Sequence, residues 1–357
     1  MLHRFAKFVA GCTVLLVLAG SLVTSTGSGL SVPDWPTSYG WNMFTFPPSK
    51  WVGGIFYEHG HRLIASTVGG LTIGRAAWLW VKEPRRWLRW LGIGALGAVV
   101  AQGVLGGLTV LFFLPAAIST AHAGLAEVFF CLVVSIALFT SPGWIEAYGR
   151  AAGSEARAHH GGGGPVGERR VFPQTEPERL VRLLATAATA LIYAQILLGA
   201  TMRHTGAGLA IPDFPLMLGH LIPPYWDAKI AIHFSHRAGA LVVVLATLGL
   251  ASYTWSHLRD RQEFIRPALL LLALVTVQAT LGALTVLSGL NVVLNSVHVV
   301  CGALVLTTSL VLTLRTWRGR FAADQTVAVA HATPGPRRVR VQADRATRFQ
   351  ADRGART

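Results

Sequence analysis

The chain has 357 residues, 52% of them hydrophobic and only 13% charged, with 31 Lys and Arg against 16 Asp and Glu for a formal net charge of +15. So few charges cannot coat a water-soluble globule of this size, so the bilayer is the solvent and an all-α membrane protein is expected. The basic excess raises the question of a nucleic-acid partner, which the placement of those residues answers in the negative, because they gather on one side of the apolar segments.

Runs of about 20 apolar residues, the length that crosses roughly 30 Å of hydrocarbon, predict eight transmembrane helices. The first, Phe5–Thr24, follows Arg4 and Lys7 and has the look of a signal peptide, but a sequence partner in mid-chain marks it as retained. An outer loop, Gly27-Ser-Gly-Leu-Ser-Val-Pro-Asp-Trp-Pro36, leads to Ile55–Trp78, which carries Glu58, His61 and Arg62. Lys82, Arg85, Arg86 and Arg89 mark the return to the inner side, followed by Leu88–Phe112 and then Ala116–Phe139 with His122. Residues 141–178 are rich in Gly, Ala, Arg and Glu without apolar period, so a disordered cytoplasmic linker is expected between an N-terminal half (1–140) and a C-terminal half (179–315).

The second half runs through Arg179–Met202, the loop Gly206-Ala-Gly-Leu-Ala-Ile-Pro-Asp-Phe-Pro215, Lys229–Trp255 with His236 and Arg237, Ile265–Leu287, and Leu290–Leu314 with His298. Residues 316–357 form an Arg-rich tail, also expected to be disordered. The outer loops hold little basic charge beyond Lys50, Arg203 and Lys229, so both termini are expected in the cytoplasm. Cys12, Cys131 and Cys301 each fall within an apolar run and show no metal-type spacing.

The two outer loops match residue for residue in pattern, and so do Gln102-Gly-Val-Leu-Gly-Gly-Leu-Thr-Val-Leu111 and Gln278-Ala-Thr-Leu-Gly-Ala-Leu-Thr-Val-Leu287. The chain is therefore read as a tandem duplication of two four-helix bundles. Four is an even number of crossings, so the halves share one orientation and are expected to be related by a pseudo-twofold along the membrane normal.

Most of the thirteen histidines lie at termini, loops or helix ends, where solvation is the default; His59 and His204 belong to this group. His61, His122, His236 and His298 differ, since each falls roughly 6–8 residues, or about 9–12 Å, inside the outer end of its helix. Ionisable groups at that depth mark a ligand, a proton path or an interhelical hydrogen bond. Their duplication in register favours two bis-histidine haem sites, because a haem iron needs two axial ligands from facing helices while the porphyrin supplies four nitrogens. Small residues nearby, Gly60, Ala123, Gly124, Gly239 and Gly302, can admit the ring or serve ordinary packing. Zinc and di-iron centres lack the necessary ligands.

Arg62 and Arg237 are open to two readings, pairing with haem carboxylates or reaching up to the headgroups. Glu58 lies one turn from His61, and the second half has His233 at its place. A carboxylate there suits a general base or a stabiliser of developing positive charge; the other reading is a partner for Arg62. Glu127 is a weaker candidate. A non-catalytic b-type cytochrome or a haem carrier would also need the paired histidines.

From Phe5 to Leu314 the combination of Glu58-x-x-His61-Arg62, His122, His236-Arg237 and His298 resembles the haem A synthase family. The resemblance implies oxidation of the C8 methyl of haem O to a formyl group by successive hydroxylations and loss of water. It implies that His61 and His122 hold the substrate haem, that His236 and His298 bind a resident haem b that passes electrons, and that Glu58 is the catalytic carboxylate. A separate electron donor follows, with the farnesyltransferase that makes haem O as a candidate supplier, in a plasma membrane with the haem sites toward the outer face. Some relatives carry a cysteine pair in the first outer loop; this chain has none between Gly27 and Gly54, so packing of Trp35, Tyr39 and Trp41 is expected to hold the loop.

Overall fold

A computed structural model describes residues 1–146 and 175–318; residues 147–174 and 319–357, most of the expected linker and tail, lie outside the described residues. The described residues form eight long helices and no strand: α1 (Leu2–Ser25), α2 (Gly54–Lys82), α3 (Arg86–Leu111), α4 (Ala116–Phe139), α5 (Glu176–His204), α6 (Ala228–Leu258), α7 (Gln262–Leu287) and α8 (Val292–Thr316). Seven of these are long and apolar enough to cross a membrane; α2 is not among them. Its length suffices, but Glu58, His59, His61, Arg62 and Arg75 lower its hydropathy below that of its neighbours.

Several helix starts are written in local chemistry. At the head of α5 the Thr175 side chain accepts from Glu178 N while the Glu178 carboxylate accepts from Thr175 N, a reciprocal cap on donors that the helix itself leaves unpaired. Asp227 accepts from Ile230 N at 2.7 Å to open α6, and Asn291 accepts from Val293 N at 3.0 Å to open α8.

Helix α1 packs on α2 and α4, and α3 packs on the same two. The second set repeats this, α5 and α7 each packing on α6 and α8, and the sets meet where α1 touches α8 and where α4 touches α5 and α8. Leu79, Leu88, Val133 and Ile136 are buried in the first set, and Val181, Leu250, Leu271 and Leu312 in the second. Large apolar side chains such as Leu15, Leu183 and Leu241 face outward and are about 60% exposed (59%, 65% and 60%). Lipid is a favourable neighbour for such a surface where water is not.

The two outer loops fold alike. Asp34 accepts from Tyr39 N and Gly40 N at 2.7 and 2.9 Å, and Asp213 accepts from Leu218 N and Gly219 N at 2.7 and 2.8 Å. Both turns place two successive residues at positive φ, Tyr39 and Gly40 (52° and 75°) and Leu218 and Gly219 (58° and 80°). The carboxylate anchors a backbone that a non-glycine residue rarely adopts. The N–H groups of Gly219 and Leu218 hold the Asp213 carboxyl below its ordinary range.

Candidate functional site

Each of the four deep histidines lies against a glycine of the preceding helix. A Cβ added to Gly20 on α1 would sit 3.0 Å from His61 Cε1 on α2, and one on Gly106 of α3 would sit 3.1 Å from His122 Cε1 on α4. In the second set Gly199 of α5 stands to His236 of α6 at 2.8 Å, and Gly282 of α7 to His298 of α8 at 3.1 Å. Glycine lets the imidazole tuck against a helix backbone, which leaves its other edge free. His61 and His122 are close enough to interact electrostatically, and so are His236 and His298.

The ring nitrogens test whether these pairs suit a metal. His61 Nδ1, His122 Nδ1 and His298 Nδ1 are buried with no hydrogen-bond partner among the described residues. Leaving a buried polar atom unpaired costs about 1–3 kcal/mol, so three such nitrogens fit side chains that are to ligate a bound group. No cluster of three or more His, Cys, Asp or Glu among the described residues is placed to hold a bare ion. A porphyrin iron requires only two axial ligands from the protein, and the donor set fits it.

Glutamines steady the rings. Gln102 Nε2 donates to the His122 carbonyl at 2.9 Å and stands 3.4 Å from His122 Nε2, and Gln278 Nε2 stands 3.3 Å from His298 Nε2. In the second set Gln195 Nε2 reaches both the His236 carbonyl, at 2.7 Å, and His236 Nδ1, at 3.0 Å. Its repeat partner in α1 is Leu16, so His61 has no such support.

The mouth of each pair is closed by a clasp between helix and loop. Glu58 accepts from Arg62 Nη2 at 2.7 Å through Oε1 and from Val32 N at 2.8 Å through Oε2. Arg62 also donates to the carbonyls of Val32, Asp34 and Thr37 at 2.8, 2.8 and 3.0 Å. In the second set His233 replaces Glu58. Its Nε2 accepts from Arg237 Nε at 3.0 Å, which leaves the ring proton on Nδ1, where the Ala207 carbonyl lies at 3.1 Å. Arg237 donates to the carbonyls of Ile211, Asp213 and Leu216 at 2.7, 2.8 and 3.0 Å. Both arginines are thus engaged by their own loops.

Several expectations are corrected. His59 is not solvated: it is fully buried beneath the first loop, held by Ser38 Oγ at 3.1 Å between the rings of Phe46 and Trp51. His204 is the last residue of α5, as expected, and is half-buried. Trp35 lies on Gly107 of α3 and Tyr39 donates to the Ser31 carbonyl at 2.6 Å, but both side chains and Trp41 stay well exposed, and the polar clasp does most of the holding. Of the small residues near the histidines, Gly60 faces open space, Gly124 faces Leu197 and Tyr193, and Gly239 and Gly302 face glutamines. Glu127 lies buried where α4 meets α5, beside Tyr193, with Oε2 unpartnered among the described residues.

A valine at position 199 would drive its Cβ into the His236 ring, because neither the helix backbone nor Gln195 can give way. Gly199→Val is expected to cost about 1–3 kcal/mol by overpacking and to displace the ring. Haem content per purified chain would report it, and a wild-type value would show that the ring has room to shift.

Over residues 3–310 the sequence matches the family described as "Cytochrome oxidase assembly protein". Among curated relatives, "Heme A synthase" of Symbiobacterium thermophilum is 31% identical over 294 residues, which is 80% of this chain and 85% of the relative. "Heme A synthase" of Shouchella clausii is 27% identical over 80% of this chain and 87% of its own, and that of Geobacillus kaustophilus is 26% identical over 92% and 98%. With the match covering both histidine pairs and both loops, the chain belongs to the haem A synthase family of cytochrome oxidase assembly proteins.

Proposed function

We propose that this chain oxidises the C8 methyl of haem O to a formyl group, making haem A, through successive hydroxylations and loss of water. Two tandem four-helix bundles, related by a pseudo-twofold along the membrane normal, contribute all eight helices as spans, α2 included. The chain sits in the plasma membrane with both termini in the cytoplasm and the histidine pairs toward the outer face. The observation that carries the reading is the unequal duplication: two histidine pairs built alike, each ring on a glycine, with a carboxylate beside only one of them.

In this reading His61 and His122 hold the substrate haem, and His236 and His298 hold haem b, which supplies one-electron chemistry when bound. Gln195 and Gln278 fix the planes of the second pair, as a resident group requires. His61 lacks a glutamine on its ring, which suits a site where a substrate enters and leaves. The Glu58 carboxylate can accept a proton at Oε2 if the Val32 N–H lets go, and Arg62 keeps its charge compensated. Arg62 and Arg237 hold the loops over the pockets and keep any remaining donors for haem carboxylates. An electron donor from outside the chain completes the cycle, and the farnesyltransferase that makes haem O is the expected supplier.

The pigment extracted from the purified protein tests the function. Haem O and haem A alongside haem b support a synthase. Haem b alone, in both pairs, would instead make the chain a b-type cytochrome or a haem carrier.

A further inference from the structure

The duplication is unequal a second time, at the helix ends away from the histidines. The register that pairs His122 with His298 also pairs Phe139 with Arg315, Trp87 with Glu263 and Trp90 with Arg266. In the first set these places hold rings: Trp87 and Phe139 meet edge-on with centroids 4.9 Å apart, and Trp144 packs on Phe139 at 5.0 Å. In the second set Pro267 has no N–H to give the Glu263 carbonyl four residues back, and Arg315 Nη1 donates to that carbonyl instead at 3.0 Å. Charged groups thus stand where the first set has an aromatic plug.

Beside Arg315 lies a cavity of about 790 Å³, flanked by α4 and α7, which both pack on α8. Its deep wall is apolar, made by Val134 and Leu138 of α4, Leu270 of α7 and Val311 of α8. Leu270 is 53% exposed, so this wall is not closed off from lipid. The rim is basic, with Arg266, Arg315 and Arg318 against one carboxylate, Glu263, which is already paired with Arg261 at 2.8 Å. Arg318 lies over the Trp144 ring. Arg266 gives Nε to Gln262 at 3.0 Å, and its end-on pair, Nη1 with Nη2, makes no hydrogen bond among the described residues. Arg315 commits Nη1 alone, and its side-on pair, Nε with Nη2, is likewise unengaged among them.

Two guanidinium edges at the polar end of an apolar slot match the two parts of an acidic phospholipid, a phosphate at the headgroup level and an acyl chain below it. The Arg-rich tail that follows Arg318 would bring like charge to this rim, which makes it a poor occupant. We propose that the cavity between α4, α7 and α8 binds an anionic phospholipid, with the phosphate held by Arg266 and Arg315 and one acyl chain lying along Leu138, Leu270 and Val311. Such a lipid bridges the two helix sets, since α4 belongs to one and α7 and α8 to the other. The site is independent of the haem assignments.

The test uses purified full-length protein in detergent, with lipid binding followed by native mass spectrometry and unfolding temperature as a second readout. Phosphatidylglycerol is expected to bind at one per chain and to raise the unfolding temperature. Phosphatidylcholine with the same acyl chains, and inorganic phosphate at the same concentration, are expected to do neither. Arg266→Gln should weaken phosphatidylglycerol binding about five- to tenfold. Leu270→Trp fills the slot while keeping every charge, and should abolish binding with haem content unchanged. Arg259→Gln removes a charge at the end of α6, outside the cavity lining, and should bind as wild type. Equal losses in Arg259→Gln and Arg266→Gln, or equal binding of phosphatidylcholine, would reduce the effect to general attraction and overturn the site. Equal protection by inorganic phosphate would make it an anion site without a lipid. A wild-type oligomer that Leu270→Trp dissociates, with phosphatidylglycerol binding unchanged, would make the groove an interface between copies and sink the proposal.

Discussion

His298→Ala is expected to reduce bound haem b from about one per chain to a small fraction, with loss of the low-spin bis-histidine spectrum, in a protein that remains folded. In the proposed pair His298 would hold the haem together with His236, and without it the site would offer the group a single imidazole. The fold should survive. Alanine is the best helix former, and His298 gives no hydrogen bond that the helix needs, since its contact with Gln278 is 3.3 Å and its Nδ1 has no partner among the described residues. His122→Ala is the matched control: it should leave the haem b spectrum in place and weaken only the substrate site. A full low-spin spectrum at wild-type stoichiometry in His298→Ala would exclude this ligand assignment.

Glu58→Gln is expected to stop haem A production, but the structure shows why that result would be ambiguous. Both carboxylate oxygens accept from donors, Arg62 Nη2 and Val32 N. An amide has only one acceptor oxygen, so its NH2 must face a donor, and the clasp fails on one side. Breaking a buried charged pair by changing one partner costs about 3–5 kcal/mol at its worst, enough to free the loop. Increased proteolysis within residues 27–53 would reveal that loss. Glu58→His separates the two roles, because the second half already uses a histidine at this place to hold its arginine and loop. With the loop still protected, an inactive Glu58→His that accumulates haem O would make the carboxylate chemical. Normal haem A yield from the same variant would reduce Glu58 to a clasp.

Much of this was legible because the solvent is lipid. Apolar runs located all eight helices within a few residues, and α6 outran its expected end at Trp255 only because an amphipathic turn continues to Leu258 past the apolar stretch. Depth and duplication singled out the four histidines. The glycines behind them were not picked out, since which face of a neighbouring helix meets a ring depends on rotation between helices, which a single sequence does not encode. The signal was present in the repeat: Gly106 and Gly282 occupy the same place in the matched segments that begin at Gln102 and Gln278. The partners of Glu58 and Arg62 were harder to foresee, because carbonyls at Val32, Asp34 and Thr37 leave no side-chain trace. His59 was misjudged for the same reason: the loop that buries it is shaped by backbone turns.

The exchange of Glu58 for His233 also sets the net charge at each mouth. In the first clasp the Glu58 carboxylate cancels the Arg62 guanidinium. In the second a neutral imidazole takes the carboxylate's place beside Arg237, so that entrance carries about one positive charge more than the first. Within a Debye length, roughly 8–10 Å, such a difference is weakly screened, so a dicarboxylate porphyrin held as proposed is expected to leave the two openings at different rates. Under the proposed assignment the duplicated scaffold would thus have one mouth suited to exchange and one suited to retention, set by a single residue beside the histidines.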